Sequence, residues 1–508
     1  MMDLQIIFPA LIFLPALLGF IGCVFPRIIF PLGVLSLLGF AASSLVALQG
    51  DFAYAFTLVG EGGIQFSFDS YTTPLIFGSS ITLLIVFGLF VNRFTHYFYQ
   101  ICLVLLTALF ISFSAVDLVS LFISLELLGF CAFLLVADRN DKKSLFNSFQ
   151  YLIGGGLAML IYLIGVVQAF TFTGSFLLED LVNAPDTALC LIIAGLLTKS
   201  GVFLCGLWVP NIYSHANCQS SAILSGCVTC AGIAPIARMS QILTPISDSM
   251  IVIGVISAVV AAIYAVFERE SGRALGWSSV SQLGIAILSP SYGCIYAMQH
   301  GICKALLFST LHDDNDHPDS LSKQDSSYLN NQNSPQELLR VIVFVVSSLS
   351  IMGFPFLAGF ITKSWIKYDI PFEAKLIYTT ASLLTSTVYA RLIFDRVNVF
   401  IKRQNSNQFK QFNFPVFLND LFTKPKNYIL ILSVAFLVCS SLLFSELLTL
   451  DSIQSAVVSA ILGGILFVSV VGIQADDFVK PVTRTLDLVG APFLVAALLL
   501  ANLLYLKI

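Results

Sequence analysis

Apolar residues run along this chain in blocks of about 20, the length a helix needs to cross the hydrocarbon core of a bilayer. The blocks fall near 4–24, 28–48, 71–92, 97–115, 117–136, 149–172, 187–209, 222–240, 249–267, 274–290, 293–311, 340–361, 376–400, 428–447, 454–474 and 485–506. Their number predicts an all-α polytopic membrane protein with about 14–16 transmembrane helices. The exception is 49–70, where apolar and polar residues alternate around Gly60, Gly62 and Gly63. That period of two predicts a small extracytoplasmic β-hairpin packed on the bundle. The N-terminus has no basic region and no small-residue cleavage site, so it is expected to be a first membrane helix rather than a signal peptide.

The polar residues inside the blocks carry the candidate chemistry. Leu191–Ser225 begins as a membrane helix bearing Lys199, is expected to break at Pro210, and passes through Asn211, Tyr213, Ser214, His215, Asn217 and Gln219. A cation at mid-membrane costs about 2.5–3.5 kcal/mol on insertion scales unless it faces protein or water. Broken backbone at that depth must be buried or line a cavity. The competing reading is that Lys199 snorkels to an interface, and its mid-run position opposes that. Thr198-Lys199-Ser200 returns as Thr362-Lys363-Ser364, beside a second interruption at Pro355. Paired interrupted helices in two halves point to a transport site built from repeats.

Glu126 lies at the centre of the 117–136 block, and an isolated carboxylate in hydrocarbon needs a cation or a proton. Asp117, at the outer end of that block, is expected at the interface. A Glu126–Lys199 pair would be either a proton-transfer element or a static buried ion pair. His300 and Lys304 are four residues apart on one helix face, the arrangement of a proton relay. The stretch 312–339 is rich in Asp, Asn and Ser and is expected to be a solvated cytoplasmic loop. Residues 402–427 form a basic connector.

Composition agrees with the pattern. Of 508 residues, 57% are hydrophobic and 11% charged, with mean hydropathy +0.91, which excludes an ordinary soluble domain. The eleven cysteines are scattered through apolar runs and read as small buried hydrophobes. Cys227-Val-Thr-Cys230 has no second pair and does not make a metal or redox site. With the N-terminus outside, sixteen Lys and Arg fall in cytoplasmic loops and four, among them Arg238, outside. Arg391 and Arg396 are expected to snorkel at a cytoplasmic helix end. No GxGxxG follows a strand and no iron–sulfur or haem pattern is present, so no cofactor, metal or nucleic acid is expected.

Several segments taken in order resemble one family: DLVSLFISLELL with Glu126, SFQYLIGGG, TFTGSF, LLTKSGVFLCGLWVP with Lys199, SAILSG, RALGWSSVSQLG, HGICKALLF with His300 and Lys304, and GFPFLAGFITKSW with Lys363. The chain resembles the antiporter-like membrane subunits shared by respiratory complex I, photosynthetic type I NADH dehydrogenase and Mrp-type sodium/proton antiporters, over roughly residues 95–400. The resemblance implies two inverted five-helix repeats, at 95–240 and 249–400. Broken helices are implied near 187–220 and 340–367. Residues 1–94 would add N-terminal helices and the hairpin, and 401–508 the basic loop and C-terminal helices. It implies a multi-pass subunit of a bacterial cytoplasmic or thylakoid membrane, working with other membrane subunits of a hetero-oligomer. Protons, with Na+ as the alternative, would pass along a polar axis of Glu126, Lys199, His300, Lys304 and Lys363. Any redox chemistry, as in an NADH:quinone oxidoreductase, would belong to partner subunits.

The chain departs from the family pattern at Asn211, where an Asp is usual, at Asn217, where Pro is usual, and at the basic pair reduced to Gly272-Arg273. An eighth-helix lysine common in the family corresponds here to Cys230. Water, or the nearby His215, Ser225 and Thr229, would have to bridge that gap. Two readings stay open: an ion-translocating subunit, or a structural subunit whose pathway is incomplete.

Overall fold

The computed structural model describes residues 2–49, 54–57, 64–91, 95–138, 141–311, 334–405, 425–442 and 450–471. The chain is a helical bundle. Its helices are α1 (Met2–Val24), α2 (Ile29–Gln49), α3 (Thr72–Leu89), α4 (His96–Ser114), α5 (Leu118–Val136) and α6 (Lys142–Thr173). They continue as α7 (Asp186–Ser200), α8 (Trp208–His215), α9 (Cys218–Gly226), α10 (Ile233–Ile242), α11 (Thr244–Phe267), α12 (Ser271–Ala286) and α13 (Gly293–Thr310). The last described are α14 (Ser334–Met352), α15 (Ala358–Asp369), α16 (Phe372–Asn405), α17 (Pro425–Leu442) and α18 (Leu450–Val471). Every apolar block falls on these helices in the expected order except 485–506, which lies outside the described residues. Seven helical segments among them are long and apolar enough to cross a membrane. The half-helices α7 and α15 are short because each ends or begins at a break.

Strands β1 (Tyr54–Thr57) and β2 (Gln65–Phe68) pair antiparallel, with Phe56 facing Phe66. The Asp117 carboxylate fastens this hairpin to α5. It accepts from Ser120 N at 2.7 Å, capping the helix, and from Gln65 N at 3.3 Å. Asp117 is therefore a buried helix cap.

Both central breaks are made by glycine. Gly201 has φ +67° and Gly353 has φ +83°, a left-handed conformation that glycine adopts without a Cβ penalty. Each closes the same cap. Gly201 N and Val202 N donate to Thr198 O and Leu197 O, and Gly353 N and Phe354 N donate to Ser350 O and Leu349 O, the paired bonds of a Schellman motif. The expected break at Pro210 is thus corrected. The proline sits in the first turn of α8, after the break, where its missing N–H would have no helical partner anyway. Pro355 lies within the second break, between α14 and α15. A third interruption was not expected: α9 and α10 are separated by a 3-10 turn at Val228–Cys230.

The basic connector lies mostly outside the described residues, at 406–424, as do residues 312–333 of the polar loop. The loop's last residues, 334–339, are not loop but the first turns of α14. Glu337 is buried there and pairs with the buried Arg396 of α16 at 2.7 Å. Arg396 does not snorkel: a carboxylate within reach makes the buried position tolerable. Arg391 likewise turns inward, donating to Val266 O at 2.6 Å and Ala265 O at 3.1 Å. A cation there meets the carbonyls that α11 leaves without helical partners.

Candidate functional site

Lys199 lies in the last turn of α7, 4% exposed, with its ammonium 3.7 Å from Glu126 Oε1 of α5. That is an ion pair rather than a direct hydrogen bond. Glu126 keeps 28% of its side-chain surface open. The slot for the ammonium is made by glycine: a Cβ on Gly129 would lie 2.9 Å from Lys199 Nζ, and one on Gly155 3.3 Å away. The break just beyond is held closed. Trp208 Nε1 donates to Thr198 O at 3.0 Å, and Phe203 N donates to Ser257 Oγ of α11 at 3.0 Å.

The centre holds hydroxyls and one more lysine. Ser225 Oγ and Ser279 Oγ are 3.2 Å apart, joining α9 to α12. Thr229 Oγ1 donates back to Ser225 O at 3.3 Å. The thiol of Cys230 is buried and points at Ala297 O, 3.7 Å away on α13. His215 is not brought to this gap. It ends α8, with Nδ1 2.9 Å from both Ser214 Oγ and Asn211 O. Lys304 of α13 is fully buried; its ammonium donates to Leu275 O at 2.7 Å and lies 5.5 Å from the Tyr389 ring centre, within cation–π range. Tyr389 OH in turn meets Ser278 Oγ at 2.9 Å. His300 is buried one turn from Lys304, and neither of its ring nitrogens has a hydrogen-bond partner among the described residues. Gln282 joins the same face, taking the Tyr296 hydroxyl on Oε1 and donating to Thr385 Oγ1.

Lys363 is on α15, beyond the second break, and its ammonium reaches back to donate to Met352 O at 3.3 Å. Its stem fills the space where a Cβ on Gly353 would stand, 2.9 Å from Lys363 Cδ. Thr362 and Gly359, on the same helix, are hydrogen-bonded to Gln299 and Ser350. Glu126 and Lys199 therefore meet beside the first break and Lys363 stands at the second, while Lys304 and His300 lie on α13, which packs against both α9 and α15.

Sequence reasoning missed the partners of two arginines. Arg238 of α10 is buried rather than exposed in a loop. It holds Asp69 in a bidentate pair at 3.0–3.2 Å and donates to Phe113 O at 2.6 Å and Thr72 Oγ1 at 2.6 Å. Burial works to raise the Asp69 carboxyl; the Arg238 charge and the hydrogen bonds outweigh it and hold the group below its usual range. Arg273 bonds both Glu268, at 3.0 Å, and Asn211 Oδ1. The amide at Asn211 thus serves as an acceptor for the arginine that opens the RALGW segment.

Residues 115–389, more than half of the chain, match the family described as NADH:quinone oxidoreductase/Mrp antiporter, TM. NADH-quinone oxidoreductase subunit N 2 of Rhizobium meliloti is 30% identical over 227 residues, 42% of this chain and 46% of the relative. The chloroplastic NAD(P)H-quinone oxidoreductase subunit 5 of Drimys granadensis is 29% identical over 284 residues, 50% of this chain and 37% of that one. The match thus spans less than half of either relative's length. Solved structures align over more. A chain of the Mrp complex from a Dietzia species superposes with TM-score 0.69 at 17% identity, covering 90% of this chain and 99% of that one. A chain of respiratory complex I from Thermus thermophilus gives 0.64 at 18%, covering 85% and 97%. A chain of the archaeal membrane-bound sulfane sulfur reductase gives 0.71 at 17%, covering 91% and 99%. At these identities the likeness is one of fold.

Proposed function

The chain belongs to the NADH:quinone oxidoreductase/Mrp antiporter membrane family, and from that premise we propose that it is a proton-translocating subunit of a multisubunit membrane complex. The observation that carries the reading is the placing of its lysines. Lys199 and Lys363 each lie at the carbonyl end of a broken helix, one beside Glu126 and the other on Met352 O, with Lys304 buried between them. A buried ammonium is costly unless paired, and a lysine held beside fixed acceptors can take up and release a proton as its surroundings change. Protons would enter at the Glu126–Lys199 end, pass Lys304 and His300, and leave by Lys363. Na+ is the alternative coupling ion. The subunit would lie among other membrane subunits, with its N-terminus outside. It would bring no redox centre of its own to an NADH:quinone-type assembly.

A second reading has one observation in its favour. Cys230 stands where the family commonly holds a lysine, and a buried thiol is a poor proton carrier. The chain would then be a structural subunit. The test is ΔpH formation in membrane vesicles carrying Lys363→Ala, normalised to assembled complex. Loss of flux with normal assembly supports translocation. Unchanged flux supports the structural reading.

A further inference from the structure

The two breaks are clasped differently. At the first, the clasp is the indole of Trp208 of α8 on Thr198 O of α7. At the second it is a hydroxyl. Ser350 Oγ, near the end of α14, accepts from Gly359 N of α15 at 3.2 Å and so bridges the two half-helices. The approach is close: a Cβ on Gly359 would fall 1.8 Å from Ser350 O. Ser350 Oγ also accepts from Gln299 Nε2 of α13 at 3.1 Å. The other end of that amide, Oε1, takes Thr362 Oγ1 of α15 at 3.5 Å. Gln299 is buried and is the immediate neighbour of His300.

Resting on the translocation reading above, we propose that Gln299 is the residue that positions Lys363. An amide donates only through nitrogen and accepts only through oxygen, so it cannot pass a proton along. What it can do is fix geometry. With one end on Ser350 and the other on Thr362, Gln299 spans the break and sets the register of α15 against the end of α14. That register places the Lys363 ammonium on Met352 O. Because Gln299 rides on the helix that carries His300 and Lys304, a displacement of α13 reaches Lys363 through two hydrogen bonds. The relay helix and the second lysine are thereby mechanically linked.

The experiment uses vesicles containing the whole complex. The variants are Gln299→Leu, Ser350→Ala, their double, Ser350→Thr and Lys363→Ala, each read as flux per assembled complex. A misplacement of about 1 Å can cost up to roughly a hundred-fold in a positioned reaction. Gln299→Leu and Ser350→Ala should each lower flux by roughly ten- to a hundred-fold. The double should lose no more than the worse single, because both remove one clasp. Ser350→Thr should restore most of what Ser350→Ala loses. A merely structural role would reduce the amount of complex and leave flux per complex unchanged, and that outcome overturns the proposal. So would full additivity of the two singles. Normal flux in Lys363→Ala would instead overturn the translocation reading itself.

Discussion

Removing the Glu126 charge tests the ion pair most directly. At 3.7 Å and an effective dielectric constant of about 20, the attraction between Lys199 and Glu126 is about 4–5 kcal/mol. Glu126 is partly open, which lowers that figure; about 3 kcal/mol, the low end for breaking a buried pair, is the appropriate size. The variant can avoid this cost by releasing the Lys199 proton instead of unfolding, so the complex should still assemble. At about 1.4 kcal/mol per factor of ten, the charged lysine becomes about a hundred-fold harder to populate. Proton flux should fall to about one hundredth in Glu126→Gln, which keeps the side chain's size, and equally in Glu126→Ala. The assay is ΔpH formation in inverted vesicles, with assembled complex measured in parallel. Flux within about two-fold of wild type in Glu126→Gln would refute the reasoning, because the remaining difference would be under about 0.5 kcal/mol.

The slot around the same lysine makes a second test. Gly129→Ala puts a methyl 2.9 Å from Lys199 Nζ and should cut flux several-fold without loss of assembly, whereas Gly156→Ala, which meets nothing within 4 Å, should not; equal effects in the same vesicle assay would discount the slot. Arg238→Ala should destabilise the chain by about 3–5 kcal/mol by leaving Asp69 unpaired, read as a lower melting temperature in detergent. Because the Asp69 carboxyl is held below its ordinary value, this stabilisation is present above about pH 4 and is lost as pH falls through the folded value. The gap between wild type and Arg238→Ala should therefore close on acidification, and a gap independent of pH would contradict the ion pair as its source. Cys230→Lys pushes a long side chain against Ala297, where α9 and α13 approach at Gly226 and Gly301. Overpacking of about 1–3 kcal/mol should lower the yield of complex while flux per complex holds or rises, and a fall in flux per complex would show that a lysine has no place in this chain's relay.

Much of the bundle was legible because a membrane helix is a local signal. Twenty apolar residues announce one wherever they fall, and the alternation in 49–70 announced a hairpin equally locally. The break was legible in existence but not in place. Pro210 draws attention, yet a proline in a first turn removes a hydrogen bond that was never there. Gly201 makes the break, and within an apolar run its left-handed role cannot be told from that of a packing glycine. The intramembrane lysines stood out because charge in hydrocarbon is rare. Their partners were less visible. Arg238 and Asp69 are 169 positions apart, and Arg396 finds Glu337 across 59. Counting charges loop by loop assigns each cation to water, since nothing local reveals a carboxylate brought in by the fold. Gln299 was invisible for a related reason: a neutral amide in a helix has no meaning until its two partners are known.

The repeated Thr-Lys-Ser suggests that Lys199 and Lys363 hold matching positions, and along the chain they do not. Lys199 precedes its glycine break and Lys363 follows its own. In space the two agree, and carbonyl accounting explains how. A helix ends with four carbonyls that lack helical partners. At the second break the Schellman bonds take Leu349 O and Ser350 O, and the Lys363 ammonium takes Met352 O. At the first, Leu197 O and Thr198 O are taken by the same cap, with the Trp208 indole added, and Lys199 lies in that final turn. In both places an ammonium stands at the negative end of a helix buried in the bundle, where the macrodipole favours positive charge. One lysine reaches that end from within its helix and the other from across the gap. The requirement met twice is therefore an electrostatic location, not a register: at both places a Gly cap ends a helix inside the bundle, and the ammonium beside that end is held by a carboxylate at the first and by a free carbonyl at the second.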